Sequence, residues 1–138
     1  FPNCKIIHSQ RSPMDVCWSN YKNFFPSKAL GFTYNLEDLG KFYLLYQDLM
    51  EYWESILKGK IYNIKYENLI NDQEREVKNL LNYCNLEWDE GCMAFHKNKK
   101  PVATASLAQV RSPIYKSSVA KWENYSEELK GLSNILNT

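Results

Sequence analysis

The chain has 138 residues, 44% hydrophobic and 14% aromatic, with a net charge of +1. That is material for one compact core and not two. The balanced charge does not direct the whole chain to nucleic acid, and no apolar run approaches the roughly 18 residues that span a bilayer.

The first residues, "FPNCKII", show no basic stretch followed by a long apolar core, and the chain starts abruptly just before an apolar strand pattern. A fragment with no targeting segment is expected. Cys4, Cys17, Cys84 and Cys92 show no Cys-x-x-Cys spacing, and neither His8 nor His96 forms a metal-type cluster with them. Reduced, mostly buried thiols, no metal and a cytoplasmic, reducing compartment are the expectation. Lysine outnumbers arginine fourteen to three, which gives each arginine some extra weight.

Taken in chain order, "KIIHSQ" is a short strand, β-branched at Ile6 and Ile7. Ser12-Pro13-Met14-Asp15 starts a helix: Ser12 can cap, Pro13 suits the first helical position, and Asp15 stands three after the cap. This helix is expected to reach about Phe25 and stop before Pro26. Leu36, Leu39, Phe42, Tyr43, Tyr46, Leu49, Met50, Trp53, Ile56 and Leu57 recur at helical spacing and predict one long helix with one apolar face, read as core. Asn35 can cap its start, and Gly59 fits just past its end.

"KIYNIKYENL" predicts a second strand through Tyr66. "DQEREVKNLLNYC" predicts a helix with Val77, Leu80, Leu81 and Cys84 inward, and Asp89 caps a short helix through His96. From Lys97 to about Ser117 the periodicity fails, with Pro101, Pro113 and many small residues, a length more typical of a functional loop than of a connector. "SSVAKWENYSEELKGLSNIL" closes the chain as helix. Strand–helix–helix–strand–helix argues for a single α/β domain over residues 1–138, with parallel strands flanked by helices. Two strands make a poor sheet, so further strands are expected upstream or from a partner. Exposed apolar sheet surface would then drive self-association.

Arg11 lies where the first strand ends and the helix begins. Unpaired backbone N–H groups and the positive end of the helix dipole gather at such a corner and favour an anion. An arginine adds bidentate, charge-assisted donors. Hydrogen bonds to charged groups contribute about 1.5–3 kcal/mol each, so two or three hold a phosphate at about micromolar levels. Ser19, four residues after Asp15, can add a hydroxyl. The same spacing also suits a plain Arg11–Asp15 ion pair with Ser12 as a cap.

Arg11-x-Pro13-x-Asp15-x-x-x-Ser19 resembles the 3′-phosphate-binding segment of the sulfotransferases, and the Phe-Pro opening of the strand belongs to the same likeness. Three further blocks follow in order, so the resemblance covers nearly the whole chain. "IYNIKYENLIND" resembles the family strand ending in Tyr-Glu-x-Leu, "LNYCNLEWDEGCMAFHKNKKPVATAS" resembles the bacterial, tyrosylprotein-sulfotransferase-like branch, and "SLAQVRSPIYKSSVAKW" is similar to the tyrosylprotein enzymes.

The resemblance implies a P-loop-NTPase-like sulfotransferase fold and transfer of a sulfuryl group from 3′-phosphoadenylyl sulfate (PAPS) to a hydroxyl acceptor, with PAP as product. By the same resemblance Arg11 and Ser19 hold the 3′-phosphate and Tyr66 contacts the adenine part. It assigns Ser106 to stabilising the transferring sulfuryl group, Gln109 to the loop that wraps the nucleotide, and Lys121 to the donor phosphates. His96 is read as structural.

Two departures matter. Asn23 stands where the tyrosylprotein enzymes carry a basic residue. No Gly-rich turn follows a strand, the five glycines being scattered at Gly31, Gly40, Gly59, Gly91 and Gly131. The cradle for the 5′-phosphosulfate and the general base are therefore expected before Phe1, the chain being the C-terminal portion of a truncated domain that is inactive alone. The acceptor (protein tyrosine, sugar or small alcohol) is not written in these residues. Alternative readings are a fragment of another nucleotide-binding α/β enzyme, such as a kinase, or a non-enzymatic module docking through the helix from Leu36 to Leu57.

Overall fold

The computed structural model describes residues 3–98, 111–114 and 119–137. In chain order these form β1 (Ile6–Gln10), α1 (Pro13–Lys22), a 3₁₀ segment (Lys28–Tyr34), α2 (Leu36–Ile56), β2 (Ile61–Lys65), α3 (Tyr66–Asn71), α4 (Gln73–Cys84), two further 3₁₀ segments (Glu90–Lys97 and Lys121–Tyr125) and α5 (Lys130–Leu136). β1 and β2 pair as a small parallel sheet, and the mixture of strands and helices is the expected α/β class. The chain divides into two compact units, residues 1–10 with 62–118 and residues 11–61 with 119–138.

In the first unit, Ile64 of β2 is buried and the Tyr62 ring stacks on Tyr83 of α4 at 5.0 Å. The Lys5 ammonium lies 4.8 Å from the centre of the Tyr83 ring and donates to the Tyr83 carbonyl at 2.6 Å. α4 is amphipathic as expected, with Val77, Leu80, Leu81 and Cys84 half-buried. It begins where the Asp72 carboxylate accepts from the Arg75 N–H. It ends where Asn85 turns left-handed (φ 57°) and the Leu86 N–H closes on the Leu81 carbonyl at 2.9 Å, the usual way to satisfy the last carbonyls of a helix. Asp89 caps the next segment as expected, accepting from the Gly91 N–H at 2.6 Å, though that segment is 3₁₀ and kinks at Ala94. β2 stops at Lys65, and Tyr66 opens α3 instead of ending the strand.

The second unit owns the larger core. Met14 and Cys17 of α1, Leu39 of α2, Leu129, and Leu132 of α5 are all buried there. Asn35 caps α2, its side-chain oxygen accepting from the Glu37 and Asp38 N–H groups at 2.9 and 3.0 Å, and Gly59 follows the helix at φ +74°. Gly40 lets α2 and α5 approach closely: a Cβ there would stand 3.0 Å from Ile135 Cγ2 and 3.1 Å from Leu132 Cδ1.

Three expectations need correction in this unit. α1 ends at Lys22, short of Phe25, because Asn23 returns to extended backbone while its side-chain amide donates to the Ser19 carbonyl at 2.8 Å. The closing helix is split into Lys121–Tyr125 and α5, with a turn between. The apolar face of α2 is not all core: Leu49, Trp53 and Ile56 are 51%, 40% and 50% exposed. α2 has 21 residues, whereas the α1 and α5 helices that contact it have 10 and 7, so the helix outruns its cover. Cys4 is likewise exposed rather than buried, and all four cysteines are free thiols.

Candidate functional site

The start of α1 is built as its sequence suggests in one respect and differently in another. Pro13 takes the first helical position, and the Ser12 carbonyl accepts from the Val16 N–H at 3.0 Å. Ser12 makes no side-chain capping bond, and Asp15 does not serve as a capping-box partner. Asp15 is 2% exposed and is committed to two other groups. Arg11 Nη2 lies 3.7 Å from Asp15 Oδ2, and the Ala120 N–H donates to that same oxygen at 3.2 Å. A buried carboxylate requires such partners, because desolvation is otherwise uncompensated.

Ala120 is left-handed (φ 58°, ψ 18°), an uncommon conformation for a residue with a Cβ. The turn it makes exposes its N–H to Asp15 while its carbonyl accepts from the Glu123 N–H at 3.0 Å. The exposed Lys121 follows directly and opens the 3₁₀ segment. That segment is held further down by Tyr125, whose ring lies 4.6 Å from Trp18 of α1, and by Trp122 against the core. Asp15 thus joins Arg11 to the turn that carries Lys121.

Of the expected site residues, Arg11, Ser19 and Lys121 belong to the second unit, Ser19 half-buried one turn beyond Asp15 on α1. Tyr66 belongs to the first unit, half-buried directly after the carboxyl end of β2. Ser106 and Gln109 lie outside the described residues. Ala120 was not among the expected residues, and nothing in "SSVAKW" signals a left-handed alanine. The Asn23 substitution acquires a local reason, since its amide closes the last turn of α1.

Two other polar groupings stand in the first unit. His8 Nδ1 lies 2.8 Å from Asn63 Oδ1 across the sheet, and the Gln10 amide donates to the same oxygen at 3.3 Å. A hollow of about 350 Å³ along α4 is lined by Asp72, Glu74, Arg75, Lys78 and Asn79. Its charges pair with one another or with Glu76, as Arg75–Asp72, Arg75–Glu76 and Lys78–Glu74. None of the expected site residues lines it. His96 stands edge-on to Phe95 at 5.6 Å.

Burial pushes the Cys17 thiol up from its ordinary 9.0 to about 12, so this cysteine is a core residue of α1 and no nucleophile.

The fold class is α/β, and the polar centre of the second unit is an arginine at a strand-to-helix corner. The family model described as "Sulfotransferase family" matches residues 1–90, and the chain belongs to that family. The matched stretch includes Arg11, Ser19 and Tyr66. The chain is also 38% identical over 138 residues to an "Uncharacterized protein" of Aquifex aeolicus (strain VF5). That alignment covers 99% of this chain and 18% of the relative, so the chain spans under a fifth of the relative's length. Membership of the sulfotransferase family sets aside the kinase reading.

Proposed function

We propose that the chain is the donor-binding, C-terminal portion of a PAPS-dependent sulfotransferase domain of the bacterial, tyrosylprotein-like branch. Arg11 and Ser19 would hold the 3′-phosphate, Tyr66 the adenine, and Lys121 with Gln109 the remaining nucleotide, while Ser106 would stabilise the sulfuryl group in transfer. The observation that carries this reading is the Arg11–Asp15–Ala120 linkage. Asp15 restrains the guanidinium at the start of a ten-residue helix, where backbone N–H groups and the dipole favour an anion. A guanidinium has five donors, so a pairing through Nη2 is compatible with a bound phosphate.

In the proposed reaction the acceptor oxygen attacks sulfur in line. An S–O bond forms to the acceptor, the S–O bond to the nucleotide breaks, and the hydroxyl proton passes to a general base. Positioning and charge stabilisation carry most of such a transfer, by analogy with phosphoryl transfer. These residues supply the 3′ clamp. The base and a P-loop-like 5′ cradle have no counterpart in the sequence, so the isolated chain is expected to bind donor nucleotide without transferring sulfate. Free thiols at all four cysteines fit a cytoplasmic, reducing setting.

The test is calorimetric titration with adenosine 3′,5′-bisphosphate. Binding that Arg11→Ala weakens at least about tenfold, the loss of one charge-assisted hydrogen bond, is the expected result. Equal affinity of the variant, or failure of both this chain and an upstream-extended parent to bind, would overturn the reading. Sulfate transfer by the 138 residues alone would overturn the assignment of the base to another segment.

A further inference from the structure

The small sheet of the first unit is tied by polar side chains. Alternation along β1 sets Ile6, His8 and Gln10 on one face, where His8 and Gln10 are half-buried. Both reach across to β2. The His8 Nδ1–H donates to Asn63 Oδ1 at 2.8 Å, and the Gln10 amide donates to the same oxygen at 3.3 Å. Asn63 therefore shares that face, and by alternation so do Ile61 and Lys65.

This tie decides the register of the two strands. Ile64 is the one buried residue of either strand and lies on the opposite face. A one-residue slip of β2 would turn Ile64 to the wrong face, so burial rejects it. A two-residue slip keeps every side chain on its own face, and burial does not reject it. That slip would set Ile61 or Lys65 beside His8, a hydrocarbon chain or a third donor. Of the three β2 residues on this face, Asn63 alone has a side-chain oxygen, so only the observed register gives His8 and Gln10 an acceptor. Tyr66 follows β2 directly and belongs to the same unit. At about 3.3 Å per residue, a two-residue slip would carry the end of β2, and Tyr66 with it, about 6.6 Å along the strand, too far for a ring to keep a contact with a bound ligand.

We propose that His8, Gln10 and Asn63 are positioning residues of the donor site, which fix the β1–β2 register and through it the place of Tyr66. The inference rests on the reading that Tyr66 contacts adenine, and it requires that loss of the tie be felt through the base and not through the phosphates.

Calorimetric titration with two ligands tests it: adenosine 3′,5′-bisphosphate, and a methyl riboside 3,5-bisphosphate that keeps both phosphates and lacks the base. The titration uses the chain, or the upstream-extended parent if the chain alone does not bind. Asn63→Leu, similar in volume and without an acceptor, should weaken the adenosine ligand at least about fivefold, the lower end of what one base–aromatic contact contributes, and the riboside less than about twofold. Tyr66→Ala should do the same. Asn63→Asp, which keeps an acceptor, should bind both ligands within about twofold of the parent. His8→Leu combined with Gln10→Leu leaves β2 untouched and should reproduce Asn63→Leu, replacing it should that variant fail to fold. Loss of the tie that leaves both affinities unchanged, or weakens both ligands alike, would overturn the inference, and an adenosine-specific loss in Tyr66→Ala would leave the donor reading standing. Unchanged adenosine affinity in Tyr66→Ala would overturn the adenine assignment and the inference with it.

Discussion

Asp15 and Ala120 meet through a 3.2 Å hydrogen bond across 105 residues of chain, the N–H of a left-handed alanine donating to a carboxylate that also faces Arg11. One oxygen therefore sets both the arginine at the strand-to-helix corner and the turn preceding Lys121. Removing that oxygen leaves a half-buried N–H unsatisfied and an arginine without its aspartate. Asp15→Ala is expected to lower unfolding free energy by about 3 kcal/mol, measured by urea denaturation, with Asp15→Asn losing less because it keeps an acceptor. Nucleotide affinity should fall in both variants. Full stability in Asp15→Ala would show that the contact contributes nothing.

Ala120 is expected to answer to glycine in the opposite direction. A left-handed residue with a Cβ costs about 1–2 kcal/mol, and the flexibility glycine adds to the unfolded chain recovers only part of that. Ala120→Gly should therefore raise stability by about 0.5 kcal/mol while retaining the bond to Asp15. A destabilised variant would mean that the alanine methyl contributes contacts exceeding the strain.

Gly40 sets helix propensity against close approach. Alanine in a helix interior is favoured over glycine by about 1 kcal/mol. A Cβ 3.0 Å from Ile135 Cγ2 and 3.1 Å from Leu132 Cδ1 forces two core methyls aside, a cost of about 1–3 kcal/mol. Gly40→Ala is expected to lower the melting temperature, and to lower it less in an Ile135→Ala background, where the Cγ2 methyl is gone. A rise in melting temperature for the single variant would show that α5 yields freely.

Cys17 gives a pH dependence with a defined sign. The unfolded thiol ionises from its ordinary 9.0, whereas the folded one keeps its proton to about 12. The unfolded state therefore binds fewer protons in that window, and stability present below pH 9 falls as pH rises, approaching about 1.4 kcal/mol per pH unit for this group. Cys17→Ala should flatten the profile relative to the parent above pH 9.0, seen in urea midpoints. Under native conditions near pH 8, a thiol reagent should modify the exposed Cys4 and spare Cys17 until the chain unfolds.

Legibility followed the range of the interaction. Elements governed by neighbours a few residues apart could be read directly: the strand at Ile6, the caps at Asn35 and Asp89, and Gly59 past α2. The α1 stop at Lys22 was missed because the Asn23 amide, a single side-chain bond, ends the helix before Pro26 can. Tyr66 was read one residue too far into the strand because tyrosine suits a strand and a helix start alike. Of the two local roles that the sequence offered Asp15, the pairing with Arg11 is present and the capping is not, and its bond to Ala120 could not be read because that partner is far away in sequence and conformationally unusual. α2 was read as uniformly core because periodicity reports a face and not whether another element covers it. Within the site, Arg11 and its pairing to Asp15 were legible, while the tie to Ala120 was not.

The discontinuity of the second unit has a consequence for how the chain is made. Residues 11–61 leave the ribosome before residues 119–137, yet the core that Met14, Cys17 and Leu39 form also requires Leu129 and Leu132. Synthesis at about 5–20 residues per second leaves α1 and α2 incomplete for several seconds while residues 62–118 are translated between them. During that interval their apolar faces are open to chaperones, and closure waits for one short carboxyl-terminal stretch, residues 119–137, to arrive and deliver both the missing leucines and the N–H that Asp15 accepts.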